Sequence, residues 1–218
     1  MSASRTYRSE LRDQQARHTR AVIAREARAR FVAGGWAGTS VRSVAAAAGV
    51  SEATVYNVYG SKAGLAVSLI DAAEEEADVR RAAAEISERV GDPAGQLAAF
   101  VAFDRRLYQR GGDVLRVLAE GRRQHAELGD AYDEGRRRGD SERRRVMQSW
   151  PVPAWRPGVD VDRALTIYAM VVSLESYDLA RTRGWSPEQV QAWWQEAVCE
   201  LVLSPVGRGR SGSGARTR

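Results

Sequence analysis

The sequence predicts an all-α protein of 218 residues. Apolar residues recur at spacings of three and four along most of the chain, which is the period of one face of an α-helix. No stretch alternates apolar and polar residues over the length of a strand, and clusters of glycine and proline separate the periodic segments. Helices are expected near 15–33, 40–48, 51–58, 61–90, 93–110, 113–149 with an interruption, 160–183 and 187–203.

Positive charge is concentrated in the first part of the chain. Residues 1–62 carry ten basic and four acidic side chains, a net charge of +6, whereas residues 63–218 carry 23 basic and 24 acidic side chains. A basic segment beside a near-neutral body is typical of a protein in which one part meets a polyanion.

The composition favours a soluble, cytoplasmic protein. The N-terminal stretch is charged throughout and lacks the apolar region of a signal peptide, and the longest apolar run, 168–174, is too short to cross a bilayer. A single cysteine, Cys199, excludes an intramolecular disulfide framework and a metal site built from several cysteines. We expect no metal, no cofactor and no membrane partner.

The sequence contains no pattern that indicates catalysis. Its two histidines, His18 and His125, form no pair at metal-ligand spacing with each other or with Cys199, and no glycine-rich phosphate loop is present. The acidic run 74–76 diverges around a helix and cannot converge on a substrate. We therefore expect that the protein is not an enzyme.

Two short helices joined by a glycine turn are predicted between residues 39 and 58. Thr39 or Ser40 can cap the first helix, Gly49 makes the turn and Ser51 caps the second helix. Short capped helices with alanines where they approach each other have the geometry of a helix-turn-helix. The second helix has small and polar residues on one side, so its first residues can enter a major groove. Val55 faces inward, and the outward residues are Glu52, Ala53, Thr54 and Asn57.

Lys62 is the only lysine in the chain. Ser61 is expected to cap the next long helix, which places Lys62 in the first helical turn. The free backbone N–H groups of such a turn, together with the helix dipole, favour a phosphate. A lysine opposes the dipole slightly there, and this cost makes sense if an anion binds. We therefore predict that Lys62 contacts a phosphate.

Residues 20–65 resemble the DNA-binding domain of the TetR family of bacterial transcriptional regulators, of the TetR/AcrR type. Arg28, Arg30 and Gly60 depart from the family pattern, the two arginines because apolar residues are frequent at those positions. The matching residues, in order, are Phe31, Gly35, Trp36, Thr39, Ser40, Val41, Arg42, Val44, Ala45, Ala48, Gly49, Val50, Ser51, Tyr56, Tyr59, Ser61, Lys62 and Leu65.

This resemblance implies the roles of individual side chains on DNA. The phosphate contacts would be made by Thr39, Ser40, Tyr56 and Lys62. The residues at or near base edges would be Arg42, Glu52, Ala53, Thr54 and Asn57, and Ser51 completes the DNA-binding set. A glutamate in the reader helix indicates a hydrogen bond accepted from cytosine N4, and capping of the first turn is an equal alternative. For Tyr59 we favour a place in the core.

Residues 66–204 resemble the family only in length and helical character. The expected organisation is a charged arm at 1–14, a helix-turn-helix domain at 15–65 with the motif at 39–58, a ligand-binding and dimerisation domain at 66–204, and a disordered tail at 205–218. The candidate ligand-binding residues are Phe103, Leu107, Tyr108, His125, Trp150, Trp155, Tyr168 and Tyr177, although for each of them we favour ordinary core packing. The candidate dimer-interface residues are Leu165, Val172, Val190, Trp193, Trp194, Val198 and Leu201, and packing within one chain is an alternative for both helices.

The resemblance implies a homodimeric, ligand-responsive regulator, most simply a repressor, that binds a palindromic operator in double-stranded DNA and is released by a small-molecule effector. Two alternatives use the same fold: an activator, and a non-enzymatic helical interaction protein.

Overall fold

The computed structural model describes residues 3–123 and 125–209. That part of the chain contains ten α-helices and one 3₁₀ turn, Val152–Ala154. It contains no β-strand, only an isolated bridge between Trp155 and Leu203, so the all-α prediction is confirmed. The helices are α1 Ala3–Gly38, α2 Val41–Ala48, α3 Glu52–Tyr59, α4 Lys62–Glu76, α5 Val79–Ser87, α6 Pro93–Gly121, α7 Ala126–Met147, α8 Val161–Val171, α9 Leu174–Thr182 and α10 Pro187–Val202.

The helices form two compact units, and each unit combines two separate stretches of chain. The first unit comprises Met1–Ala72 and Asp113–Asp133, and the second comprises Ala73–Gly112 and Glu134–Arg218. Helices α4, α6 and α7 each contribute to both units. The domain boundary expected after residue 65 therefore falls inside α4.

The core of the first unit begins with the apolar stripe on α1. Ile23, Ala27 and Phe31 are buried, as their spacing of four residues predicts. They belong to one buried cluster with Val44 and Val55 of the next two helices. The other main members come from α4, α6 and α7: Leu65, Leu69, Val114, Leu118 and Leu128.

Arg28, one of the departures from the family pattern, forms an ion pair within the first unit. Its Nε and Nη2 donate to the two carboxylate oxygens of Asp113 at 3.0 and 2.9 Å. Burial raises the pKa of Asp113, but the hydrogen bonds from Arg28 and from the N–H of Val114 outweigh burial and hold that pKa below its usual range. An arginine at this position is thus explained by its partner on α6.

The second unit has an apolar core that encloses a polar cluster. Trp194, Val190 and Val198 of α10 are among its fully buried residues. Within this unit, Arg143 Nη2 and the hydroxyl of Tyr168 each donate to Asp104 Oδ2 at 2.6 Å. A carboxylate and a guanidinium this deeply buried must be paired with each other.

Two of the predicted long helices are broken. The predicted helix 61–90 is interrupted at Asp78, whose left-handed backbone (φ 62°) starts α5 and whose side chain accepts from the N–H of Arg81. The predicted helix 160–183 is interrupted at Val172, and Ser173 then caps α9 through a reciprocal pair of hydrogen bonds with Ser176. Both breaks depend on side chains that also occur inside helices, which is why periodicity did not show them.

The glycine pair Gly111–Gly112 lies inside a helix and not at the predicted break between two helices. We expected a break there, but α6 continues through both residues to Gly121. A Cβ atom on Gly111 would overlap the Cβ of Ala73. The glycine is therefore explained by the close approach of α6 to Ala73.

The two ends of the chain also differ from expectation. Helix α1 begins at Ala3, which is earlier than the predicted start near residue 15. Residues 205–208 form a turn, in which the N–H of Gly207 donates to Ser204 Oγ and Ser204 Oγ donates to the carbonyl of Pro153. The remainder of the predicted disordered tail, 210–218, lies outside the described residues.

The close approach at Gly111 predicts that Gly111→Ala lowers the free energy of unfolding. Alanine normally gains about 1 kcal/mol over glycine in a helix, but relieving the overlap with Ala73 should cost roughly 1–3 kcal/mol. Gly129→Ala is the matched control, because its Cβ would lie 3.6 Å from the carbonyl of Arg122, an ordinary contact. Urea unfolding of both variants measures the difference. A Gly111→Ala protein as stable as the control contradicts the packing described.

Candidate nucleic-acid interface

The turn between α2 and α3 has the predicted caps. Ser40 Oγ accepts from the N–H of Ser43, and the Ser43 hydroxyl accepts from the N–H of Ser40. These two hydrogen bonds form a capping box at the start of α2. Gly49 takes the left-handed conformation (φ 65°, ψ 31°) that ends α2. Ser51 Oγ then accepts from the N–H of Thr54 at 3.1 Å and begins α3. These local interactions fix the angle at which α3 leaves the turn.

Helix α3 fully buries one side chain and leaves three others exposed. Val55 is 1% exposed and belongs to the core of the first unit. Ala53, Tyr56 and Asn57 are exposed, and Thr54 is half-buried with its hydroxyl 2.8 Å from Ser51 Oγ. With only eight residues, the helix is about 12 Å long, short enough to place its first turn in a major groove.

Thr39 does not have the role predicted for it. Its side chain is buried, at 3% exposure, and its hydroxyl lies 2.9 Å from the carbonyl oxygens of both Arg30 and Gly35. A buried hydroxyl that donates inside the protein cannot contact a phosphate. The side chain of Thr39 instead closes the end of α1, where Gly35 leaves the helical conformation (φ 64°, ψ −175°).

Lys62 contacts the end of α1 in the absence of DNA. Its Nζ donates to the carbonyl oxygen of Trp36 at 2.6 Å and lies 4.1 Å from the centroid of the Trp36 ring. Burial lowers the pKa of Lys62. This ammonium group therefore ties the first turn of α4 to Trp36. An ammonium has three N–H donors, so the predicted phosphate contact is compatible with this geometry and stays a prediction.

Trp36 packs back onto the first unit. Its ring stacks on Phe31 with centroids 5.4 Å apart, and His125 lies 5.7 Å away. His125 belongs to the first unit, whereas the other candidate ligand residues belong to the second. The role of His125 in ligand binding stays a prediction.

Arg42 and Glu52 form an ion pair across the helix-turn-helix. Arg42 Nε donates to Glu52 Oε1 at 2.9 Å, and the two side chains are 85% and 42% exposed. The hydrogen bond from Arg42 to the carboxylate raises the pKa of this guanidinium. Both residues were predicted to lie near base edges, but their pairing was not predicted. The signal was present as opposite charges at outward positions of two adjacent short helices.

Gly64 is a further residue that positions α4, and it was not predicted. A Cβ at this position would overlap the carbonyl oxygen of Tyr59, so only glycine lets α4 start this close to the end of α3. The N–H of Gly64 donates to Ser61 Oγ at 2.9 Å, which confirms the predicted cap. The hydroxyl of Tyr59 donates to the carbonyl of Arg20 at 2.9 Å, and its ring packs against the core. Tyr59 therefore anchors α3 to α1, as we favoured.

Five aromatic candidates of the second unit belong to or pack against its one core cluster, where their rings make separate contacts. Tyr108 and Tyr177 lie 6.1 Å apart and both contact Trp194. Trp150 and Trp155 form another pair, with centroids 5.1 Å apart. Tyr168 is held by Asp104, and Phe103 and Leu107 are half-buried on α6. Their role in ligand binding stays a prediction.

Most of the candidate dimer-interface residues are buried within one chain. Five of them pack in the core of the second unit: Leu165, Val172, Val190, Trp194 and Val198. Side chains that are covered by their own chain are not available to a partner, so these five are corrected to core residues. Trp193 and Leu201 of α10 are 44% and 43% exposed.

Over residues 3–123 and 125–209, no three His, Cys, Asp or Glu side chains are grouped so that they could hold a metal ion. Nor does any helix described there have the length and apolar character needed to span a membrane.

The fold and this interface define a class of protein. A capped helix-turn-helix with an exposed second helix, followed by a larger helical unit, is the architecture of a DNA-binding regulator. Residues 23–69 match the family described as bacterial regulatory proteins of the tetR family. This match assigns the N-terminal domain of the chain, residues 23–69, to that family. No curated protein sequence matches the chain.

Solved structures share the fold along most of the chain. The TetR family transcriptional regulator PfmR from Thermus thermophilus superposes with a TM-score of 0.59 at 20% identity, covering 82% of this chain and 97% of its own. A transcriptional regulator from Rhodococcus sp. Rha1 gives 0.57 at 20% identity, covering 84% and 95%. A proposed regulator from Saccharomonospora viridis, in complex with choline, gives 0.67 at 16% identity, covering 86% and 98%. At these identities the likeness shows a common fold.

The position of Lys62 predicts two separable effects of Lys62→Met. Loss of one phosphate contact should weaken binding equally on all DNA sequences and reduce the slope of log affinity against log salt concentration by about 1. Loss of the hydrogen bond to Trp36 should lower the free energy of unfolding by about 1 kcal/mol.

Arg81→Met is the matched control for the charge, because Arg81 is exposed on α5 and pairs only locally with Glu85. Binding measured across a salt series and urea unfolding give the two readouts. A Lys62→Met protein that is destabilised but keeps the wild-type salt slope would limit Lys62 to its contact with Trp36.

Proposed function

We propose that the protein is a sequence-specific transcriptional repressor that binds a palindromic operator as a homodimer and is released by a small molecule. The observation that carries this proposal is α3, a short helix whose only buried residue, Val55, holds it to the core while its first turn faces outward. The excess positive charge of residues 1–62 supports a phosphate backbone as the partner of this unit. TetR-family regulators are in general non-enzymatic, and we propose the same for this chain.

The operator is tested by recovering and sequencing genomic fragments bound by the purified protein at physiological salt. We expect an inverted repeat whose half-sites are one helical turn apart, about 34–36 Å, or a multiple of this distance. The genes beside the recovered sites indicate whether transcription is repressed and which chemistry the effector has. Fragments without a shared sequence would contradict the proposal.

For dimerisation we propose the exposed side of α10. Trp193 and Leu201 are eight residues apart, which places them on the same face of the helix. Trp185 packs edge-on against Trp193 with centroids 6.1 Å apart and extends the apolar surface. Large exposed aromatic residues beside aliphatic ones are typical of the core of an interface.

Trp193→Glu should shift the protein from dimer to monomer in sedimentation equilibrium, because burying an unpaired carboxylate is unfavourable. Operator affinity should fall with it, since two half-sites are no longer bound together. Val152→Glu is the control: Val152 is more exposed than Trp193, at 85%, and lies outside α10. A Trp193→Glu protein that remains dimeric would place the interface elsewhere.

For effector binding we propose the second unit around Arg143. The Nε of Arg143 is buried without a hydrogen-bond partner among the described residues, and the Tyr168 ring lies 4.5 Å from its guanidinium carbon. An unused buried donor is costly, so a ligand acceptor that reached it would be stabilised. The choline complex of the S. viridis protein supports a fold of this kind holding a small molecule. Coupling of about 1–3 kcal/mol would change operator affinity about 5- to 150-fold.

A further inference from the structure

The contact between Arg42 and Glu52 leaves the two terminal Nη groups of the Arg42 guanidinium available for binding. Within the described part of the chain, only Arg42 Nε is engaged, with Glu52 Oε1. A guanidinium donates in a fixed fork, and its two terminal Nη groups match O6 and N7 of guanine in the major groove. With Nε held from the side, the Nη end can still bind a base edge.

The hydrogen bonds around α3 argue against capping as the role of Glu52. The first turn of α3 is already closed by Ser51, which accepts from Thr54. The Glu52 carboxylate instead accepts from Arg42. A carboxylate is unfavourable near DNA phosphates, and its presence on a reader helix is explained if it orients a cation that contacts the base pairs.

An unrestrained arginine loses much side-chain entropy when it is fixed on a base. The Arg42 side chain is 85% exposed, so contact with Glu52 is the main restraint on it in the free protein. A partner that fixes Nε before binding reduces the entropy lost on binding, and pre-organisation of this kind favours the specific complex.

We propose that Glu52 is a positioning residue that holds Arg42 so that its Nη groups bind a guanine in each half-site. The proposal rests on the proposed sequence-specific binding to DNA, and it replaces direct recognition of cytosine by Glu52. It assigns the two residues to one reading unit, although they lie on different helices.

The test is a double-mutant cycle on DNA. DNA affinity is measured for four variants: Arg42→Ala, Glu52→Ala, the double variant and Glu52→Gln. Each variant is tested on the recovered half-site and on half-sites that carry each of the three other bases at each position. Arg42→Ala should reduce the preference for one guanine by about 5- to 150-fold. Glu52→Ala should weaken the preference for guanine at the same position. In a protein that already carries Arg42→Ala, it should cause no further loss of this preference.

Glu52→Gln should keep most of that preference, because its amide oxygen still accepts from Arg42 Nε, and it should raise affinity for all sequences because a negative charge is removed. Arg81→Ala and Glu85→Ala are the controls, since this exposed pair has the same Nε–Oε1 contact at 2.7 Å on α5. These two variants should leave the ranking of bases unchanged. Thermal unfolding verifies that each variant is folded.

Two results overturn the inference and are distinguishable from each other. If Glu52→Ala still reduces discrimination in the Arg42→Ala background, Glu52 reads a base itself and only this inference fails. If the wild-type protein shows no preference among sequences, the proposed function fails together with the inference.

Discussion

Burial of Val55 is the interaction on which the DNA-binding surface depends. An isolated helix of eight residues is not stable in water, because nucleation costs more than so few hydrogen bonds return. Val55 joins the same buried cluster as Ile23, Ala27 and Phe31 of α1. This shared core therefore stabilises the reader helix, while the exposed residues of α3 remain available for recognition.

Both ends of α3 are fixed by interactions that leave its outer face free. At the start, Gly49 and the Ser51 cap set its direction. At the end, the Tyr59 hydroxyl donates to the carbonyl of Arg20, and Gly64 allows α4 to begin close to the carbonyl of Tyr59. The side chains predicted to read bases are therefore presented on a rigid support, which is what precise recognition requires. Lys62 extends this support by joining the start of α4 to Trp36 at the end of α1.

The sequence was informative where interactions are local and misleading where they are distant. Caps, the glycine turn and the apolar stripe on α1 follow from neighbouring residues, and the structure has all of them. Gly111 was misread because glycine ends helices and also permits close packing, and only the position of Ala73 distinguishes the two. The burial of Thr39 and the pairing of Arg42 with Glu52 likewise depend on residues from other elements. In the second unit, apolar helical spacing could not separate buried from exposed positions: Val190 is buried, whereas Trp193 is 44% exposed.

Amide hydrogen exchange of the protein, with and without the DNA that it selects, measures most directly whether α3 is formed before DNA binds. We predict that binding protects the N-terminal turns of α2, α3 and α4, and that amides around the buried Val55 already exchange slowly without DNA. DNA of the same length and random sequence should protect these turns less. Protection confined to the second unit, or rapid exchange throughout α3 in the free protein, would contradict the claim that α3 is a preformed reader helix.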